Sequence, residues 1–70
     1  MSAYKVIQVI GTSPKSWEEA ANSAIEQAGK HIRELRIAEI EKLDARIENN
    51  KVVEYRARVS LSFRYEGSPA

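Results

Sequence analysis

Seventy residues, 43% of them hydrophobic and 30% charged, describe one small ordered domain rather than a disordered segment. Eleven basic and ten acidic side chains leave a formal net charge of +1, spread along the chain, which speaks against a nucleic-acid binder. The absence of cysteine removes disulfides and thiolate metal sites, and no apolar run approaches the roughly 20 residues of a membrane span.

Ala3 to Ile10 is rich in Val and Ile and is expected to form a strand that stops at Gly11. Tyr4, Val6 and Ile10 fall on one face and Ile7 and Val9 on the other, so both sides of this strand are expected to be covered. After a polar turn a helix begins near Ser16. Ser16 and Glu19 make a capping box, in which hydroxyl and carboxylate satisfy free backbone N–H groups reciprocally. Glu18 and Glu19 suit the positive end of the helix dipole. Trp17, Ala20, Ala21, Ala24, Ile25, Ala28, Ile32 and Leu35 recur at three- and four-residue spacing, predicting a helix of about 20 residues, some 30 Å long. Its alanines allow a close approach to a sheet.

Residues 36–48 and 52–65 are expected to form two long strands. Val53, Tyr55, Ala57, Val59, Leu61, Phe63 and Tyr65 alternate with Glu54, Arg56, Arg58, Ser60, Ser62 and Arg64, the clearest period-two pattern in the chain. Side-chain faces choose the hairpin register, since a slip of one residue inverts every side chain. A two-residue turn at Asn49-Asn50 pairs Leu43 with Arg56 and mixes the faces. A three-residue loop through Lys51 pairs Ile47 with Val53, Ala45 with Tyr55 and Leu43 with Ala57. Before Leu43 the phase changes, and a β-bulge near Glu41-Lys42 restores it, setting Ile40 opposite Val59 and Ala38 opposite Leu61.

The fold class is therefore α+β. A β-α-β-β subunit is expected, its three-stranded antiparallel sheet partly wrapped around one helix, as a single domain over residues 1–66 with a flexible tail at 67–70. The charged residues of the hairpin line the face opposite the helix. A core this small is marginal by itself, and oligomerisation is the expected source of further stability.

Ile37 is the odd residue on that polar face, level with Ser62 and near Glu39, Glu41, Arg56 and Arg58. Either it is a lone exposed aliphatic, which is common, or it lies at a subunit contact or lines a pocket made by symmetry. Glu39 and Glu41 either pair with Arg56 and Arg58 across the hairpin or supply oxygen ligands to a hard cation. His31, the only histidine, sits at the edge of the apolar stripe and is expected to be packed or interfacial. No nucleophile–histidine–acid arrangement is recognisable, so no catalytic residue is expected.

Tyr4-Lys5-Val6-Ile7, Ile10-Gly11-Thr12-Ser13-Pro14, the helix from Ser16, Glu39, and the closing Phe63-Arg64-Tyr65-Glu66 together resemble the dodecins over nearly the whole chain. That resemblance implies a non-enzymatic homododecameric shell, and the lack of cysteine suits a reducing cytoplasm. Flavin-binding members stack flavin pairs between tryptophans near a two-fold axis and act as flavin stores. Here the segment Leu35-Arg36-Ile37-Ala38-Glu39 places Ile37 where those members carry the tryptophan, and Arg56 stands where they carry a flavin-binding glutamine. Trp17, in the first helical turn, is no substitute. Ser13-Pro14-Lys15-Ser16-Trp17-Glu18 with Arg36-Ile37-Ala38 is similar to the tryptophan-lacking subgroup called calcium dodecins, which implies a calcium partner, with Glu39 and Glu41 as candidate metal ligands. A flavin store for riboflavin or FMN with an altered pocket at Ile37 and Arg56 is the alternative; a shell with no dedicated ligand is a third.

Overall fold

The computed structural model describes residues 2–65, so the tail expected at 67–70 lies outside them. Strand β1 (Tyr4–Ser13), helix α1 (Trp17–Gly29), strand β2 (Leu35–Glu48) and strand β3 (Lys51–Arg64) follow one another along the chain. They form one sheet in the order β1-β3-β2, antiparallel throughout, with the expected β-α-β-β succession. The most regularly alternating strand takes the centre, where both of its edges must pair and both of its faces have distinct work.

The helix lies on the face of Ala57, Val59 and Leu61, which are closed off by Ala20, Ala24 and Ala28. Four of these six core residues are alanines, so the core is thin; burying Val59 and Leu61 contributes about 1.5–3 kcal/mol each. Gly11 is what lets the helix come so close. A Cβ there would stand 2.0 Å from the Ala20 carbonyl oxygen and 2.7 Å from the Ala24 nitrogen. The strand does not stop at Gly11 as its composition suggests; it runs on to Ser13, with Gly11 paired to Ala57. The glycine serves helix–sheet contact rather than chain reversal.

Ser16 caps the helix, accepting from the Glu19 amide at 3.0 Å. The reciprocal half of the expected capping box is replaced: the Glu19 carboxylate accepts from the Ser13 hydroxyl at 3.2 Å, and that hydroxyl accepts from the Lys15 amide at 3.0 Å. The turn and the helix start are thus knitted through one serine.

The helix is shorter than its apolar stripe predicts, 13 residues rather than about 20. Past Gly29 the amides of His31 and Ile32 both donate to the Ala28 carbonyl, at 3.1 and 3.0 Å, and Glu34 turns the chain with a φ of 64°. Ile32 and Leu35 still pack against the core, but from the connection and from the start of β2. Their spacing matches a helix because they reach the same apolar neighbours by a different backbone path. His31 lies beyond the helix end and is exposed in the single chain, not packed.

The hairpin solves its register differently from the expected three-residue loop. Asn49 and Asn50 both have positive φ, 53° and 62°, and form a two-residue turn with Glu48 paired to Lys51 and Ile47 to Val52. This double left-handed geometry matches the strand twist, and asparagine tolerates it. Pairing then jumps to Arg46–Glu54, so Val53 is an extra residue on β3. That bulge absorbs the phase error for which a longer loop was expected, and Ala45–Tyr55 and Leu43–Ala57 fall into place. The bulge at Glu41 is found where expected, with Ile40 opposite Val59, Ala38 opposite Leu61 and Lys42 opposite Arg58. A further shift separates Leu35 from Ile37.

The molecule measures 56 × 19 × 15 Å because the hairpin outruns the helix. Fourteen strand residues span about 46 Å, against about 20 Å for the helix. The hairpin tip, with Ile47 and Val52, is therefore exposed.

Candidate functional site: the open face of the sheet

The side of the sheet away from α1 is bare, and pairing arranges its residues in cross-strand rows. Val6, Ser62 and Ile37 share one row; Gln8, Ser60 and Glu39 the next; then Ile10, Arg58 and Lys42; then Thr12, Arg56 and Asp44. Ile37 is 67% exposed and Val6 61%, with Tyr4 and Ile10 about half exposed. The apolar side chains of β1 that point away from the helix, expected to be covered, are thus uncovered within one chain. Gln8 donates to the Ser60 hydroxyl at 3.4 Å, a weak link across the second row.

Arg56 is held. Its Nε donates to Asp44 Oδ1 at 2.7 Å and its Nη2 to Asp44 Oδ2 at 3.0 Å, a two-pronged pair between cross-strand neighbours. These hydrogen bonds hold the Asp44 carboxyl below its ordinary range, helped by the positive charges of Arg56, Lys42 and Arg58, and push the Arg56 guanidinium up. Arg46 is likewise raised, by its hydrogen bond to Glu54 and by Glu48. Glu39 and Glu41 are not the partners of Arg56; among the described residues neither takes part in an ion pair. Glu41 is the extra residue of its bulge, whereas Glu39 lies one row from Ile37.

The candidate residues do not converge within one chain. Ile37 lies opposite Ser62, six residues along β3 from Arg56, a separation of about 20 Å. Among the described residues no group of three or more His, Asp or Glu side chains is placed to hold a metal.

Asp44 is the residue that sequence reasoning passed over, although the register already placed it opposite Arg56. It also ties the two faces together. Its backbone carbonyl accepts from Trp17 Nε1 at 2.8 Å, and the Trp17 ring meets Tyr55 edge-on, centroids 4.8 Å apart and planes at 72°. Trp17 therefore clamps the helix start to the hairpin on the covered side, far from Ile37. Beside it an apolar groove of about 330 Å³ runs between α1 and β2, lined by Trp17, Ala21, Ile25, Ile40 and Leu43. Among the described residues no helix is long and apolar enough to cross a membrane.

The element order, the alanine-lined helix contact and the bulged hairpin define a β-α-β-β scaffold with one open sheet face, and the dodecin family model matches residues 3–66. The chain belongs to the dodecin family. It is 39% identical over 64 residues to the calcium dodecin of Mycobacterium tuberculosis, covering 91% of this chain and 90% of that one. The crystal structure of that organism's calcium dodecin, described as calcium-chelating with a novel calcium-binding site, matches with a TM-score of 0.84 at 36% identity, covering 99% of each chain. The dodecin of Streptomyces coelicolor matches with a TM-score of 0.91 at 31% identity, covering 96% of each chain.

Proposed function

We propose that this dodecin is a non-enzymatic, cytoplasmic homododecamer that binds a small ligand or ion on its open sheet face, with calcium as the partner. The carrying observation is Ile37, bare on that face where the flavin-binding members have their stacking tryptophan. An aliphatic side chain has no π-face for offset stacking, and the Arg56 fork is already taken by Asp44. Kinship with the calcium dodecin of Mycobacterium tuberculosis supports the choice of a hard cation. Glu39 and Glu41 are the proposed ligands, brought together with their copies by the symmetry of the assembly, since calcium takes six to eight oxygens and one chain offers few. The thin core and the uncovered apolar residues of β1 support the assembly itself.

Calorimetry with calcium on wild type and on a Glu39→Ala/Glu41→Ala variant tests the metal reading. Heat is expected from the wild type and a loss of most of it in the variant; equal heats remove these carboxylates. Riboflavin and FMN titrations of wild type and Ile37→Trp test the pocket, with quenching of flavin fluorescence expected only in the variant. Wild type binding flavin as tightly as Ile37→Trp would establish the flavin-store alternative. A monomer in sedimentation velocity would remove the shell.

A further inference from the structure

Beyond the metal reading, the open face carries a second chemistry at the opposite end of the row system from Ile37. Two adjacent rows bring Lys42, Arg58 and Arg56 together, and the only carboxylate paired into them is Asp44. Asp44 lies directly opposite Arg56 and meets it with both oxygens. The charges of Lys42 and Arg58 act on it as well. Thr12, on the other side of Arg56 in the same row, adds a hydroxyl. Among the described residues Lys42 and Arg58 have no ion-pair partner. Arg56 alone meets the carboxylate directly, while Lys42 and Arg58 leave positive charge in the next row, an arrangement suited to an oxyanion that the protein supplies itself.

We infer that Asp44 is an internal anion seated on the Arg56 fork, with Lys42 and Arg58 in the neighbouring row, and that it sets the charge preference of the open face. The Arg fork matches a carboxylate and a phosphate equally well, so the two compete for the same donors. With Asp44 in place, a phosphate-bearing ligand must displace a tethered carboxylate whose effective concentration is high. A neutral or cationic ligand faces no such competition. Asp44 is thus a specificity-determining residue that steers the face away from phosphorylated ligands. This rests on the reading above only in taking the open face as the ligand face.

The test is calorimetry at low ionic strength with inorganic pyrophosphate, on the assembled wild type, Asp44→Asn and Asp44→Asn/Arg56→Gln. Asp44→Asn is expected to bind pyrophosphate roughly tenfold tighter than wild type or better, the scale of one charge-assisted two-pronged contact. The double variant is expected to lose that gain. No gain in Asp44→Asn, or a gain that survives Arg56→Gln, overturns the inference. The Trp17 bond uses the Asp44 backbone carbonyl, so tryptophan fluorescence reports whether the variant keeps its fold. Should it not, Arg56→Gln alone decides. Because Arg56 is already occupied, that variant is expected to bind pyrophosphate within a factor of about two of wild type, and a tenfold loss overturns the inference. Calcium heats on the same samples report the metal reading separately.

Discussion

The two faces of β3 differ by one residue of register and by almost everything else. On one, Ala57, Val59 and Leu61 are at most 1% exposed beneath three alanines of the helix. On the other, Arg56, Arg58, Ser60 and Ser62 are flanked by Ile37 and Val6 with nothing over them. The first face is closed by the chain's own helix and has no room to spare. The second is a surface whose apolar members gain nothing until something else covers them. Stability of the single chain therefore lives on one face, and the other is left free for the binding proposed above.

Gly11→Ala is the strongest way to break that contrast. Its new methyl would meet the Ala20 carbonyl oxygen and the Ala24 amide nitrogen, both backbone atoms that cannot rotate aside. The helix must lift, and a loss of about 3 kcal/mol or more is expected, enough to unfold much of a domain this small. Denaturant unfolding followed by circular dichroism checks it; a midpoint near wild type would mean the helix is not seated on Gly11.

Trp17→Phe probes the joint between helix and hairpin. It removes the Nε1 bond to the Asp44 carbonyl while keeping an aromatic edge toward Tyr55. A loss of about 1 kcal/mol is expected in the same assay.

Leu61→Ala and Ile37→Ala sharpen the contrast with the same kind of side chain on opposite faces. The first is expected to cost about 2–5 kcal/mol of subunit stability. The second should change it by less than about 0.5 kcal/mol under conditions where the chain is dissociated. If Ile37→Ala matches Leu61→Ala there, the open face is not open.

Acid gives the smallest effect. The Asp44 carboxyl is held below its ordinary pKa of 3.8 by the Arg56 hydrogen bonds. A depressed pKa contributes stability that is fully present above 3.8 and is lost as pH falls through the lower, folded-state value. Because the pair is solvent-exposed, the contribution is small and screened by salt. Asp44→Asn should flatten the stability curve below about pH 4, coinciding with wild type at the acid end and falling slightly short of it at neutral pH, as seen in pH-resolved thermal melts.

Much of the architecture was legible in the chain. The alternation of β3 placed Ala57, Val59 and Leu61 on one face, the phase change after Ile40 located the bulge at Glu41, and Ser16 marked the helix start. The open face was legible as well: Ile37 stands opposite Ser62 as the register required. The helix end was not, because Ile32 and Leu35 keep helical spacing while their backbone has already left the helix. Nor was the turn, since a three-residue loop and a two-residue turn with a bulge at Val53 yield the same pairing from Ala45 onward.

Periodicity, capping and the faces of each strand are local and follow from amino-acid order, and they determined the β-α-β-β plan by themselves. Why Gly11 must lack a side chain, where Trp17 sends its N–H, and that Asp44 grips the Arg56 fork with both oxygens were decided only in three dimensions. Each depends on a partner at least nine residues away in the chain and within about 3 Å in space. Spacing along a chain cannot weigh such contacts, because they arise when helix and sheet close on each other.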